Sequence, residues 1–325
     1  MNKSKEMKIH LDQIDVNDRS YIFTFELPLS QLINSIKNIG ILHSPILEQK
    51  NNGTFRIVSG LKRILALRHL KIDQISSQVY YSTSQEPTLE LFLLNFYENI
   101  GTRHLNEIEK SMVLYKLIEL FHVSEDRVIS EFLPLLELGS NEVVLSRYLK
   151  LVKLEDNIKI AIVEDFISID NAVALLERSQ IERRTIFNLF HQLKSGKNRQ
   201  KELLRLLQEL SEINAQSIDQ ILQNNEIQDV LANNKITLPQ KAERIKEVLM
   251  KMRYPLFTKI EKDFQNLKKD LKLPPNIILR PPPFFEGDKY TIEFSFKNQS
   301  EFKKFTGILN SIADQNCLAK LESLA

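Results

Sequence analysis

Residues 97–111, YENIGTRHLNEIEKS, contain the side chains that a phosphate-binding site uses. Glu98 and Asn99 provide hard oxygen ligands of the kind that Mg²⁺ takes beside substrate phosphates. Arg103 could meet phosphate oxygens, since guanidinium groups form charge-assisted hydrogen bonds with them. The alternative is structural, because the same residues would also end one helix, turn at Gly101 and begin the next helix. Alone, this stretch favours the structural interpretation.

A second segment, FRIVSGLKRILAL at residues 55–67, predicts a strand, a turn and a helix N-terminus in sequence. Free backbone amides and the positive end of the helix dipole make such a point an anion site. Lys62 and Arg63 would stay on the open face, because the neighbouring leucine and isoleucine positions can face the core. The alternative is a solvated basic pair on an ordinary connection, since one glycine, Gly60, is a weak signal.

The elements that must position these residues are short and mixed in the first 95 residues. LSQLINSIKNIG predicts an amphipathic helix with a serine cap at Ser30 and an end at Gly40. SPILEQ and TFRIVSG predict a hairpin around KNNG, and ISSQVYYS predicts a further strand. The apolar run EPTLELFLLNFYEN predicts a helix that ends where the first segment begins.

The rest of the chain is predominantly helical in pattern. NEIEKSMVLYKLIELF has the spacing of a capping box at Asn106 and Glu109. The last segment predicts a small α-β-β-α unit, because KYTIEFSF alternates apolar and polar residues. We therefore predict an α+β, predominantly helical protein with a small α/β domain at 1–104, an all-helical domain at 105–252 and the α-β-β-α unit at 253–325. A unit that small buries little surface, so we expect it to self-associate.

Composition limits the function classes. The chain has 44 basic and 42 acidic residues, so its net charge of +2 gives no global argument for nucleic acid. A single cysteine, Cys317, excludes an internal disulfide and a multi-thiol metal site, and we expect it to be a spectator. No apolar run reaches the ~18 residues of a membrane span, and the N-terminus lacks a signal core. We expect a cytoplasmic protein without membrane contact.

Taken together and in this order, the two segments resemble motifs of the ParB partition-protein family. Its N-terminal domain carries G-E-R-R-x-R-A and then E-N-I-Q-R-x-x-L-N-P-x-E. Gly60, Arg63 and Ala66 match the first motif, and residues 98–109 match the second without a gap at ENI and LN.IE. LSQLINSIKNIGIL upstream, and LGSNEVVLSRYLKLVKL and DNAVALLE downstream, are similar to further family segments. The resemblance runs from about residue 24 to 178.

The resemblance implies a DNA-binding protein of chromosome or plasmid partition, or of related gene regulation. It implies CTP and Mg²⁺ in the N-terminal domain, a helix-turn-helix on DNA, a homodimer through the C-terminal unit, a partition ATPase as partner and a nucleoid-associated location. The cofactor-binding positions would be Gly60, Lys62, Arg63, Glu98, Asn99 and Arg103, with Glu98 and Asn99 facing the metal. The DNA-binding positions would include Asn141, Ser146, Arg147 and Lys150.

Several positions depart from the family pattern. Lys62 stands for an arginine and loses its bidentate fork, and Gly101 and Thr102 stand for Gln-Arg. Arg103, one position later, is a candidate to compensate. In the DNA module, more residues separate the two helices than a tight turn holds, and Pro134 should break the chain there. We therefore expect a weakened nucleotide site with at most slight CTPase activity.

A local basic segment favours nucleic acid. Between 178 and 205 there are eight Lys and Arg residues, Arg183 and Arg184 among them, against Glu182 and Glu202. They could contact DNA phosphates, although most basic helices are solvated faces. The competing function is a scaffold or regulator that keeps the fold and acts through protein–protein contacts. Sulfiredoxin chemistry lacks its cysteine, since position 61 is Leu61, and nuclease activity lacks a dense carboxylate cluster.

Overall fold

The structure is a computed structural model, and it describes residues 4–25, 28–81, 86–287 and 289–313. Cys317 lies outside the described residues. Contacts divide the chain into two compact units, Met1–Arg183 and Arg184–Ala325. The three-domain division predicted from the sequence stays a prediction. In the part of the chain that is described, no helix combines the length and apolarity needed to cross a bilayer.

The first unit contains a five-stranded mixed sheet. Its strands are β1 (Ser4–His10), β2 (Ile14–Asp15), β3 (Ile46–Gln49), β4 (Phe55–Ser59) and β5 (Gln74–Tyr81), in the order β1-β5-β3-β4-β2. β3 and β4 pair antiparallel, which confirms the predicted hairpin. β3 and β5 pair parallel, and β1 joins β5 antiparallel at the edge. Gly60 directly follows β4, so it lies where the sheet ends and the helix beginning at Leu61 starts.

Three helices pack with this sheet: α1 (Ser30–Ile39), α2 (Leu61–His69) and α3 (Leu89–Ile100). Ile57, Ile64 and Leu47 are fully buried in the core between the sheet and helices α1 and α2. α3 buries Phe92 and Phe96, as its apolar run predicted. The serine cap predicted for α1 is wrong. Leu29 occupies the N-cap without a side-chain hydrogen bond, and Ser30 is already the first helical residue.

The remainder of the first unit is helical. It comprises α4 (Glu107–Tyr115), which continues through a π-type turn (Lys116–Leu120), then α5 (Glu125–Arg127), a second π-type turn (Val128–Phe132), α6 (Leu133–Leu135), α7 (Glu142–Leu151), α8 (Asp156–Val163) and α9 (Ile169–Leu175). The predicted break at Pro134 is displaced by one residue. The helical segment that begins at Glu125 runs through the second π-type turn and ends at Leu135.

A buried polar cluster ties the N-terminal loop to the sheet. Arg56 Nε donates to Asp18 at 2.6 Å, and its Nη1 donates to Glu48 at 3.0 Å. Burial raises the pKa of Asp18, but hydrogen bonds from Lys50, Ser20 and Arg56 outweigh burial and hold that pKa well below its usual value. The carboxylate is therefore a structural anion.

The second unit begins within α10 (Gln180–Leu193) and continues with α11 (Lys197–Asn214), α12 (Ile218–Leu222), α13 (Asn225–Ala232), α14 (Leu238–Arg253) and α15 (Pro255–Asp270). It ends with the hairpin β6 (Ile277–Arg280) and β7 (Thr291–Phe294), followed by α16 (Gln299–Ala313). The α-β-β-α order of the last segment is as predicted.

The apolar side of this small hairpin is only partly covered. Leu279 pairs with Ile292, and Leu279 is buried while Ile292 remains 40% exposed. Phe296 and Phe302 stack edge to face at 4.8 Å between ring centroids, and they are 52% and 40% exposed. The two rings therefore form an exposed aromatic pair beside the hairpin.

Candidate functional site

The two predicted segments converge on one cleft of about 330 Å³ in the first unit. This volume is at the lower end of the range of ~300–1,000 Å³ for small-molecule sites. The N-terminus of α2 provides one wall, and the end of α3 with the turn after it provides the other. All six residues predicted for cofactor binding line this cleft: Gly60, Lys62, Arg63, Glu98, Asn99 and Arg103.

Gly60 is the N-cap of α2, and its backbone is left-handed with φ +95°. A Cβ at Gly60 would lie 3.0 Å from Pro45 Cβ, so the close approach of the two loops requires glycine. The first backbone amide of this turn with a helical partner is that of Ile64, which donates to the Gly60 carbonyl. The preceding amides sit at the positive end of the helix dipole beside the cleft.

Arg63 and Glu98 bridge the two walls. Arg63 Nη2 lies 3.6 Å from Glu98 Oε1, and Arg63 Nη1 donates to the His43 carbonyl at 2.6 Å. Burial lowers the pKa of Arg63, while the charge of Glu98 opposes that shift. Glu98 Oε2 is buried, and it has no hydrogen-bond partner among the described residues. A buried carboxylate oxygen left in this state needs a ligand, a cation or water to satisfy it.

Asn99 and Arg103 form the second layer of the same wall. Asn99 Nδ2 donates to Asn95 Oδ1 at 2.8 Å, and Arg103 Nε donates to Asn99 Oδ1 at 2.9 Å. The guanidinium of Arg103 also grips the carboxylate of Glu109 in a bidentate pair, at 2.6 and 3.1 Å. The predicted capping box of α4 is present between Asn106 and Glu109. Thus Glu109 serves both α4 and the cleft.

Sequence reasoning missed part of the lining. Asn95 donates to the Tyr21 carbonyl at 2.8 Å. It lies four residues before Asn99, on the buried side of α3, where the other residues are apolar. This amide pair, one helical turn apart, was a usable signal. Leu61 and Thr102 belong to the two motif segments but were not predicted as ligands, and the remaining residues follow from packing: Ile22, Thr24, Leu32 and Ser59.

The charge of the cleft is weakly positive. Lys62, Arg63 and Arg103 are cationic, and Glu98 and Glu109 offset two of those charges. No ion pair involving Lys62 occurs within the described residues, so its ammonium is available to an anion. Such a site favours a polyanion that brings its own cation.

The four residues of α7 that were predicted to face DNA differ in exposure and in their partners. Ser146 and Lys150 are exposed on the side opposite buried Leu145 and Tyr148. Asn141 is the N-cap of α7, and its side chain accepts from the Val144 amide at 2.9 Å. Arg147 lies 3.4 Å from Asp170, which lowers the charge it presents. α7 therefore exposes a polar stripe with one unpaired ammonium, that of Lys150, among these four residues.

The basic segment is more neutral than its sequence indicates. Arg183 Nη2 donates to Glu155 at 2.7 Å and the arginine side chain is 15% exposed, so it stabilises the first unit. Hydrogen bonds from Arg183 hold the pKa of Glu155 below its usual value. In the second unit, Arg199 pairs with Glu202 and Glu243. Arg184 is exposed. DNA contact by Arg183 and Arg184 stays a prediction.

Similarity to known proteins agrees with the motifs. The chain is 27% identical over 175 residues to a nucleoid occlusion protein of Oceanobacillus iheyensis, a match covering 53% of this chain and 57% of that protein. It is 25% identical over 188 residues to a probable chromosome-partitioning protein ParB of Chlamydia muridarum, covering 56% and 64%. The chain is similar to ParB-type chromosome-partitioning and nucleoid occlusion proteins over about half of its length. No protein-family model matches the sequence.

The chain spans less than two thirds of the length of these relatives. Among solved structures, the C-terminally truncated ParB of Caulobacter crescentus complexed with CTP-γ-S is 18% identical, and the alignment covers 56% of this chain and 99% of that one. Its TM-score of 0.27 is too low for the likeness to carry an argument.

The cleft has a donor set that fits a Mg²⁺ ion arriving with phosphates. Mg²⁺ is usually held by one or two carboxylates together with substrate phosphates and water, and Glu98 offers an unsatisfied oxygen. Asn99 fits this role less well than predicted, because its oxygen already accepts from Arg103. Among the described residues, no cluster of three His, Cys, Asp or Glu side chains could hold a metal unaided.

Proposed function

We propose that this chain is a ParB-like DNA-binding protein whose cleft binds CTP with Mg²⁺ and uses the nucleotide to gate its hold on DNA. One observation carries the proposal. Residues 60–63 and 98–103, distant in sequence, line a single cleft with free helix amides, a bridging arginine and an orphaned carboxylate oxygen. The cleft thus combines donors that suit phosphate with a carboxylate oxygen that a cation could satisfy.

In this proposal, different residues of the cleft bind the triphosphate and the Mg²⁺ ion. The α2 amides, Lys62 and Arg63 bind the triphosphate, because donors at a helix N-terminus and a guanidinium suit phosphate oxygens. Glu98 holds Mg²⁺, which supplies positive charge next to the phosphates and offsets the small number of cations in the cleft. We expect binding to be weaker than in a site with two arginines, since Lys62 binds as a point charge.

The DNA part of the proposal relies on α7 as the second helix of a helix-turn-helix, with Ser146 and Lys150 on its exposed side. The nucleoid occlusion and partition relatives support a nucleoid-associated role in partition or related regulation. A homodimer formed through residues 253–325 and a partition ATPase as partner belong to the same proposal.

The test is a calorimetric titration of the full chain with CTP and MgCl₂. We expect saturable binding that weakens about 10- to 100-fold in Arg63→Ala, because a charge-assisted hydrogen bond to phosphate is lost. Arg127→Ala is the matched control, since Arg127 is an exposed arginine of the first unit paired with Glu131 outside the cleft. It should bind CTP like the wild type.

If the wild type, Arg63→Ala and Arg127→Ala all fail to bind CTP at millimolar concentration, the proposed nucleotide site is contradicted. That result would favour the scaffold interpretation, in which the ion pairs of Arg63 and Arg103 serve the fold alone. Equal binding by wild type and Arg63→Ala would show that the ligand sits elsewhere.

A further inference from the structure

The carboxylate of Glu109 is a junction of four hydrogen bonds. It accepts two from the guanidinium of Arg103, one from the Phe25 amide at 3.3 Å and one from the Asn106 amide at 3.2 Å. The side chain is 3% exposed. It therefore joins three parts of the first unit: the loop that follows Phe23, the turn after α3 and the first turn of α4.

Arg103 contacts both the Glu109 carboxylate and the cleft. Its side chain lines the cleft and is 36% exposed, but both terminal nitrogens point to Glu109. A phosphate chain and the Glu109 carboxylate present the same kind of acceptor to a guanidinium fork. The two anions therefore compete for one cation.

We propose that Glu109 is a positioning residue that withholds Arg103 from the cleft, and that a bound triphosphate draws Arg103 away and loosens the start of α4. This inference rests on the proposed triphosphate site and adds its regulation. Releasing Arg103 removes the only cation bound to the buried Glu109 carboxylate among the described residues. A buried carboxylate without its cation is costly, so its hydrogen bonds to Phe25 and Asn106 must rearrange.

The consequence is a link between ligand and helix. Asn106 caps α4, and α4 packs on α7, where Ser111 Oγ donates to the Tyr148 carbonyl at 2.7 Å. A ligand in the cleft would thereby change the N-terminus of α4, the helix that packs on α7 and supports its exposed stripe. Coupling free energies of this kind change an affinity by about 5- to 150-fold.

The first experiment compares CTP–Mg²⁺ binding by wild type, Glu109→Gln and Glu107→Gln. Glu107 is on the same first turn of α4, but it pairs with Lys110 and Tyr148. Each variant removes one negative charge. We expect Glu109→Gln to bind about tenfold more tightly than wild type, and Glu107→Gln to bind like wild type. Binding by Glu109→Gln but not by wild type would also support the proposal.

Equal or weaker binding by a folded Glu109→Gln, as judged by circular dichroism, overturns the competition while leaving the proposed function intact. Equal tightening in both variants reduces the effect to general charge and also overturns it. If no protein in the set binds CTP, the proposed function fails and this inference fails with it.

The second experiment needs no variant. Hydrogen exchange of the wild type with and without CTP–Mg²⁺ reports the amides directly. We expect slower exchange at residues 61–63 and faster exchange in peptides containing Phe25 and Asn106. Slower or unchanged exchange at Phe25 and Asn106, together with protection at 61–63, would leave the triphosphate site standing and remove the release of Arg103.

Discussion

Asp18 illustrates how partners, more than burial, set the state of a carboxyl group in this fold. Its oxygens accept from Arg56 at 2.6 Å and from Ser20 Oγ at 2.6 Å, and Lys50 lies 2.7 Å away. Because its pKa is depressed, Asp18 contributes stability that is present above the ordinary value of 3.8 and is lost as pH falls toward the folded pKa.

Asp18→Asn should therefore lower the free energy of unfolding by about 2 kcal/mol at pH 7, because charge-assisted hydrogen bonds are lost. At pH 3 the difference from wild type should shrink, since acid removes the contribution of Asp18 from the wild type, and the variant has no such contribution to lose. Urea denaturation followed by circular dichroism at both pH values measures this. Asp12→Asn, at an exposed position of the 3-10 turn that precedes β2, is the control. A difference that is unchanged at pH 3 would contradict the assignment.

Six of the cleft residues could be predicted from the sequence, but their partners could not. The strand, glycine and helix start around Gly60 indicate an anion site from local sequence alone. The pair Glu98 and Asn99 indicates the end of a helix. Glu109 was predicted only as a cap, because its pairing with Arg103 depends on how the turn folds back. Glu155 lies 28 residues before Arg183, so a local count of acids could not reveal that this arginine is neutralised.

Helices α2 and α3 and the capping box of α4 were predictable because their signals are local: a helix start directly after Gly60, an apolar run and an Asn-x-x-Glu spacing. β1 was not predicted. It is an edge strand with charged residues at alternate positions, and it gains stability by pairing with β5, which is distant in sequence. The helix end near Pro134 lies one residue beyond the predicted break.

The exposed stripe of α7 yields a test of DNA contact. Lys150→Ala should weaken binding to mixed-sequence duplex DNA and reduce the slope of log K against log salt by about 0.9, the loss of one phosphate contact. Gel shifts across a salt series measure this. Lys8→Ala, which removes an exposed lysine from β1, should leave the slope unchanged. An unaltered slope in Lys150→Ala would exclude α7 as the phosphate-contacting helix in this way.

The β6–β7 hairpin and α16 leave apolar side chains open close together, namely Ile292, Phe296 and Phe302. Aromatic residues are enriched at protein–protein interfaces. This aromatic cluster supports the predicted homodimer.

The full chain should sediment as a dimer at micromolar concentration, and Phe302→Lys should shift it toward monomer, because a charge in an apolar interface is desolvated at a cost. Ile213→Lys is the matched control, since Ile213 is 59% exposed on α11, outside the hairpin segment. Analytical ultracentrifugation measures both. A dimer that survives Phe302→Lys would move the interface elsewhere.

The contact between Gly60 and Pro45 makes the cleft vulnerable to a single methyl group. Gly60→Ala alters no charge, yet its Cβ would press on Pro45 and Arg63, both within 3.1 Å, in a left-handed backbone that alanine resists. The loop that carries His43 would have to retreat, taking with it the carbonyl that orients Arg63. A chain altered only at Gly60 would keep every charged residue of the cleft, yet its two loops could no longer approach each other and Arg63 would lose the carbonyl that orients it.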